Sequence, residues 1–297
     1  MTYDLMNRRD TKTNHHTSAT GAAETIERYL KIGAPGNKIN LGFAFYAKYF
    51  TTAGDCSKTP IGCPIVLAED PVTGADTLTS GAWTFEKQHM QPIEASRLVS
   101  STDGTCGADK MTKCTSGCCS QYGNCGFSRE HCSGACQHAF GTGCTDPDIF
   151  GSWQIASANG LTDQAAGGQY YFDKTNNLFW TWDTLPLITR KFDEIVKTYG
   201  LGGVMAWSLG EDSFDWSHIG RIASRVNAAG YGQYDVVLNS DDAGLAEAKT
   251  VESENTVKAG NTVEGENTVE GENTQDNSDW SEDGDGWYYE EYKRKRV

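Results

Sequence analysis

Along the first 230 residues the apolar positions fall in short runs whose spacing changes several times. Met1 to Leu5 reads as a short strand end, Ala22 to Ile32 carries apolar residues at helical spacing, and Ile39 to Tyr46 is a β-rich run. The turn-forming Gly33-Ala34-Pro35-Gly36-Asn37 introduces that run. Leu185 to Tyr199 reads as an amphipathic helix with Leu187, Ile188, Phe192, Ile195 and Val196 on one side, stopped by Gly200. A buried strand over Gly203 to Leu209 and a last helix around Ile219 to Ala228 follow. The order strand, helix, strand, long insertion, helix, strand, helix predicts an α/β fold. Nearly continuous apolar strands belong to parallel sheets, which are covered on both faces.

Beyond residue 230 this pattern stops. The hexapeptide Thr-Val-x-x-x-Asn repeats at Thr250, Thr256, Thr262 and Thr268. One Val per repeat is too little to bury a core, which predicts a disordered acidic tail over 231–297 rather than a short β-helix. The formal charge of −15 is concentrated there, with 17 acidic against 6 basic residues in the tail and 23 against 19 before it. The closing Lys293-Arg294-Lys295-Arg296 cluster reads as solvated charge rather than a targeting patch.

Such a balance offers a phosphate backbone no basic footprint, which argues against nucleic acid as a partner. The longest apolar run, Leu41 to Phe50, is broken by Lys48 and falls well short of the roughly 18 residues a membrane-spanning helix needs. Met1 to Arg9 is polar and has no apolar core of a secretory signal. The cysteines point the other way. Eight of ten lie between Cys106 and Cys144, a density that marks a disulfide-stapled module and an oxidising compartment. Zinc is the rival reading, because His131 and His138 lie among the thiols. The adjacent Cys118-Cys119 pair and the lack of two regular Cys-x-x-Cys knuckles disfavour it.

Three segments carry a more specific resemblance. Met1-Thr-Tyr-Asp-Leu, Leu41-Gly-Phe-Ala-Phe-Tyr-Ala-Lys and Gly202-Gly-Val-Met-Ala-Trp-Ser-Leu-Gly-Glu-Asp resemble the sixth, seventh and eighth barrel strands of glycoside hydrolase family 18 chitinases, nearest the fungal, killer-toxin-like branch. Asp103-Gly-Thr-Cys-Gly through Cys118-Cys-Ser-Gln-Tyr-Gly-Asn-Cys-Gly to Cys144 resembles a hevein-like, type 1 chitin-binding module. Together they imply an incomplete (β/α)8 TIM barrel, its last three strands only, with an α+β insertion carrying a small disulfide-rich chitin-binding module. The implied layout is a barrel segment at 1–50, an insertion at 51–182 that includes the module at 103–145, and a last barrel segment at 183–230.

The resemblance also implies roles. In the module it pairs Cys106 with Cys119, Cys114 with Cys125, Cys118 with Cys132 and Cys136 with Cys144, leaving Cys56 with Cys63. Sugar contacts fall to Ser120, Tyr122, Asn124 and His131, of which only Tyr122 keeps the usual aromatic face. In the barrel, Tyr3 would hydrogen-bond the substrate's acetamido oxygen, Asp4 would contact the sugar and the catalytic acid, Tyr46 and Lys48 would touch substrate, and Trp207 would form an aromatic floor. Met1 and Met205 match pocket-lining positions, although methionines on apolar strands are usually packing. Lys48 stands where many relatives have arginine, which replaces a bidentate contact by a point charge. No metal or cofactor is implied. The expected partners are chitin or N-acetylglucosamine oligomers, with protein partners left open.

Chitin supplies its own nucleophile in this family: the N-acetyl carbonyl attacks while a glutamic acid protonates the leaving oxygen, a substrate-assisted retaining route. That acid belongs to an Asp-x-x-Asp-x-Asp-x-Glu motif, which occurs nowhere in these 297 residues. The tail's Asp276, Asp279, Glu282 and Asp283 do not match its spacing. The chain therefore reads as the C-terminal part of a secreted chitinase, with a non-catalytic chitin-binding lectin and a killer-toxin-like subunit as alternatives. General acid catalysis contributes about 100-fold to 10,000-fold, so the polypeptide alone is expected not to turn over a fluorogenic chitotrioside. Turnover lost on mutating Asp4 but kept in Tyr122→Ala would overturn that expectation.

Overall fold

The computed structural model describes residues 1–230; the repeat tail and the terminal basic cluster lie outside the described residues. In chain order the main elements are helix α1 (Ala19–Lys31), strands β1 (Asn40–Ala44), β2 (Tyr46–Thr51) and β3 (Ser80–Thr84), and helix α2 (Ile149–Asn159). Strands β4 (Leu161–Asp163), β5 (Gly168–Asp173) and β6 (Leu178–Trp182), helix α3 (Leu185–Lys191), strand β7 (Gly203–Trp207) and helix α4 (Ser217–Ala228) complete them.

The helices form where the apolar spacing places them. Helix α1 starts three residues earlier than the pattern alone indicates, because Ser18 caps it: its Oγ accepts the Gly21 N–H at 3.2 Å. Helix α3 continues as a wider π-helical turn over Phe192–Lys197, so the predicted single helix is present but changes pitch midway. Ala22 and Ile26 of α1, Ile188 of α3 with Phe192, Ile195 and Val196 beyond it, and Ile222 of α4 bury against Leu41, Phe43 and Phe45. This core lies beneath a parallel pair, β1 with β7, in register from Asn40 opposite Gly203 to Ala44 opposite Trp207.

Three strand expectations change: the buried strand expected over Gly203 to Leu209 ends at Trp207, and its residues are half-buried or exposed because only one of its faces packs on the core. Met1 to Leu5 forms no strand. It lies along β1, but the contact is made by a side chain, with Thr2 Oγ1 donating to the Gly42 carbonyl at 2.6 Å. At Asp4 the backbone turns left-handed, with φ of 55°, which ends any extended run. The Ile39 to Tyr46 run is divided at Phe45. The Phe45 N–H donates to the Trp207 carbonyl at 2.8 Å, closing the parallel pair, and from Tyr46 onward the chain enters another sheet.

That second sheet is antiparallel, with the order β3-β2-β6-β5-β4. Because side chains alternate along a strand, β2 serves two environments. Tyr46, Lys48 and Phe50 point one way, and Phe50 packs with Met6, Ile65 and Phe179. Ala47 and Tyr49 point the other way, into a cluster with Trp83, Phe85, Trp180, Trp182 and Trp153 of α2. The Trp180 indole N–H in this cluster donates to Ser152 Oγ at 2.9 Å, so the buried polar atom is satisfied.

Between β3 and α2 lies the cysteine-rich segment. Its bridges are Cys106–Cys119, Cys114–Cys125, Cys118–Cys132 and Cys136–Cys144, and Cys56–Cys63 closes a separate loop. Cys118–Cys119 and Cys125–Gly126 form its small antiparallel ladder. Loops this short gain about 2–4 kcal/mol per bridge by restricting the unfolded chain, which replaces a large apolar core. The segment packs on the sheet: Ala135 belongs to the cluster of Ala47, Tyr49 and Trp83, and Arg129 Nη2 donates to the Thr77 carbonyl at 2.9 Å.

An ion pair is sealed below the sheets. Lys191 Nζ lies 2.8 and 2.6 Å from the two Asp183 oxygens, and both side chains are essentially inaccessible. Thr17 Oγ1 donates to Asp183 Oδ2 at 3.1 Å and also meets Lys191 Nζ. Removing one partner leaves the other charge buried alone, at a cost of about 3–5 kcal/mol. Lys191→Met is therefore expected to destabilise the protein by that amount in urea titration, and adding Asp183→Leu should recover most of the loss.

Candidate functional site

The groups singled out in the sequence converge at the end of β1 and β7. Tyr46 and Lys48, on one face of β2, both reach Asp4: the Tyr46 hydroxyl donates to Asp4 Oδ1 at 2.9 Å and Lys48 Nζ at 3.0 Å. The left-handed backbone at Asp4 turns the carboxylate toward them. Tyr3 sits beside Tyr46, edge to face at 6.1 Å between ring centres, with its hydroxyl 3.8 Å from the Met205 sulfur. Along β7, Met205 and Trp207 alternate with Val204 and Ala206. The latter two pack on the helical core, whereas Trp207 stays 42% exposed.

Gly42 makes this packing possible. A Cβ there would stand 3.0 Å from the Met205 sulfur, 3.0 Å from the Tyr3 ring and 3.2 Å from the Met1 backbone. No side chain fits without moving one of them. The glycine thus matters here through close approach rather than through its backbone angles.

One residue of the cluster was not read from the sequence. His16 is wholly buried, with its ring 5.3 Å from that of Tyr46 and Nδ1 3.8 Å from Asp4 Oδ1, too long for a hydrogen bond. Among the described residues neither of its ring nitrogens has a hydrogen-bond partner. Burial pushes the imidazole down, keeping it neutral. For Asp4, burial acts to raise the carboxyl, but the charge and hydrogen bond of the Lys48 ammonium outweigh it and hold the group well below the usual carboxylate range. With His16 neutral, Lys48 is the standing charge partner. A histidine in a polar stretch such as Thr13-Asn14-His15-His16-Thr17 gives no signal of burial.

The cysteine-rich segment brings together a second set. Ser120 and Asn124 face each other across a tight turn: the Ser120 N–H donates to the Asn124 carbonyl at 2.9 Å, and the Asn124 N–H reaches Ser120 Oγ at 3.2 Å. Gly123 takes φ of 76° in this turn, and a Cβ there would stand 2.8 Å from the Cys106 carbonyl oxygen. At the turn's tip the Tyr122 ring is 56% exposed. His131 lies over Gly126 and shares a 2.8 Å hydrogen bond with the Ser128 hydroxyl through Nδ1. Asn124 is exposed but offers no ring. Phe127, a further exposed aromatic, stands against Gly117. In the ladder's alternation Phe127 falls on the face opposite Ser120 and Asn124.

Known proteins supply independent comparisons. The profile of Glycosyl hydrolases family 18 matches residues 1–212. A GH18 chitinase from Cycas revoluta, solved in complex with (GlcNAc)3, aligns over 76% of this chain and 45% of its own, with 15% identity and a TM-score of 0.43. The chitinase RmChi1 from Rhizomucor miehei aligns over 76% and 52%, with 15% identity and a TM-score of 0.45. A non-secreted LysM effector, LCP1, of Gibberella moniliformis is 47% identical over 49 residues, which are 15% of this chain and 6% of that protein. The chain spans about half the length of these solved structures.

The Asp4 geometry fixes a pH dependence. A carboxyl depressed in the folded state stabilises the fold fully above its unfolded value of about 3.9, and that contribution fades as pH falls through the lower folded value. Lys48→Met removes the ammonium, so Asp4 should protonate at higher pH, shown by carboxyl-carbon NMR titration. The acid limit of folding should move up with it.

Proposed function

The chain belongs to glycosyl hydrolase family 18, and on that premise we propose that it binds chitin at two places and carries part of the family's substrate-assisted hydrolytic site. The observation that carries this reading is the convergence of Tyr3, Asp4, Tyr46 and Lys48 with Met205 of β7, two residues before Trp207 on the same face of that strand, drawn from chain positions some 200 residues apart. The Trp207 face suits the apolar face of a pyranose ring, and the Tyr3 hydroxyl would donate to the acetamido oxygen as that oxygen attacks the anomeric carbon. Asp4, held anionic beside Lys48, would orient the N-acetyl group and stabilise the positive charge that develops on it. The Glu that would protonate the leaving oxygen belongs to a motif not found in these residues. Hydrolysis is therefore read at the level of the family, as the activity of the barrel to which β1 and β7 contribute.

In this reading 1–50 and 183–230 are barrel segments of the killer-toxin-like, fungal branch, 51–182 is the insertion, and 103–145 is a hevein-like module. There Tyr122 provides the stacking face and Ser120 the acetamido hydrogen bond, with Asn124 and His131 at the groove's edges. Ten cysteines in five bridges favour an extracellular setting, since such bridges persist in oxidising surroundings. A non-catalytic lectin is the second reading, favoured by the exposed Tyr122.

Isothermal titration of the full chain with chitotriose tests the module. Tyr122→Ala should weaken its binding by about 1 kcal/mol or more, and Asn124→Trp, which restores an aromatic face, should strengthen it by a similar amount. An Asn124→Trp protein that binds no better would show that this groove is not the one used.

A further inference from the structure

We propose that the protein cuts its own chain between Asp146 and Pro147, with the Asp146 carboxylate as nucleophile and His138 as general acid. This is independent of the saccharide reading. The chain has two Asp-Pro bonds, Asp70-Pro71 and Asp146-Pro147. In each, the aspartate side chain can close a five-membered ring on its own carbonyl carbon, and the proline nitrogen, a tertiary amide without N–H, leaves as a secondary amine once it takes a proton. The two bonds differ in what the fold places around them.

At Asp146 the carbonyl oxygen accepts from His138 Nε2 at 3.0 Å, so the imidazole proton already lies on the oxygen that gains charge when the carbonyl is attacked. The carboxylate's Oδ2 accepts the Cys136 N–H at 3.0 Å. Its Oδ1 is buried without a hydrogen-bond partner among the described residues, and His138 Nε2, 3.6 Å away, is too far to supply one. An oxygen stripped of water and of donors keeps its electron pair available for attack. The Asp146 carboxylate beside His138, with Asp148 adding to it, holds the imidazole above its ordinary range against partial burial, so His138 carries the proton the step needs. The segment is pinned on both sides: the Cys136–Cys144 bridge and the Thr145 N–H on the Cys132 carbonyl at 2.7 Å precede it, and Asp148 caps α2 after it. Asp70 has none of this. Its Oδ1 accepts the Val72 and Thr73 N–H groups at 2.9 and 2.8 Å, and its carbonyl accepts the Gly74 N–H.

The step balances with water alone. Asp146 Oδ1 attacks the Asp146 carbonyl carbon, the C–N bond to Pro147 breaks as His138 gives its proton to that nitrogen, and a cyclic anhydride remains. Water opens the anhydride to two carboxylates, and its two protons return to His138 and to the Pro147 amine. All five disulfides lie before the cut, so 1–146 and 147–297 are then held together by the pairing of β1 with β7 and of β2 with β6 rather than by a covalent bond.

The test incubates the full chain, disulfides intact, at about pH 6, where a histidine of raised affinity is protonated, and follows it by reducing electrophoresis and mass spectrometry. The expected result is two fragments, the second beginning at Pro147, formed at a rate independent of protein concentration while Asp70-Pro71 stays whole. His138→Gln, with its five bridges mapped in unreduced peptides, should slow the cut about 100-fold. The unmutated chain unfolded in guanidinium should cut no faster at Asp146-Pro147 than at Asp70-Pro71, a comparison that needs no variant to fold. No cut at Asp146-Pro147, equal cutting of both bonds in the folded protein, or an undiminished rate in His138→Gln would overturn the proposal.

Discussion

The buried Lys191–Asp183 pair, with Thr17 between them, holds together the parts on which everything else rests. Asp183 directly follows β6, Lys191 belongs to α3, and Thr17 immediately precedes the Ser18 cap of α1. Thr17 Oγ1 also approaches the Thr2 carbonyl at 3.2 Å, so the segment bearing Tyr3 and Asp4 is tethered to the same point. Taking two charges out of water costs several kcal/mol per ion, and here the cost is offset by short contacts to both carboxylate oxygens and by the threonine hydroxyl. Apolar side chains of similar volume would fill the space without fixing any register. The ion pair accepts one arrangement of these three segments and penalises the others.

From that arrangement the strand β2 takes its double role. The chain leaves the parallel pair at Phe45 and enters the antiparallel sheet at Tyr46, so a single residue separates the two architectures. One face of β2 then completes the Asp4 cluster and the other seals the tryptophan-rich cluster beneath α2. A shift of one residue in its register would send Lys48 into that core and Tyr49 toward Asp4.

Much of this was legible in the sequence. Helices α1, α3 and α4 follow from apolar spacing, because each buries one stripe against a common core, whereas β7 packs only Val204 and Ala206 there and leaves Met205 and Trp207 exposed. The Tyr3, Asp4, Tyr46, Lys48 and Trp207 set was legible only through its motifs, since no periodicity links positions so far apart. The left-handed turn at Asp4 and the break at Phe45 were not legible, for both are set by tertiary partners: the ligands of a carboxylate in one case, a single backbone bond to Trp207 in the other. His16, Asp183 and Lys191 stayed hidden for a related reason. Polar side chains read as solvated until the fold brings their partners to them.

The position of Ala135 bears on how such a protein is inherited. Small disulfide-rich modules are commonly pictured as cassettes, gained or lost without disturbing their host. Here the module contributes a side chain to the same apolar cluster as Ala47, Tyr49 and Trp83. Excising 103–145 would remove Ala135 from that cluster and uncover Ala47, Tyr49 and Trp83 on that side. The cysteine-rich segment and the sheet share packing at this point, so a change in one bears on the other.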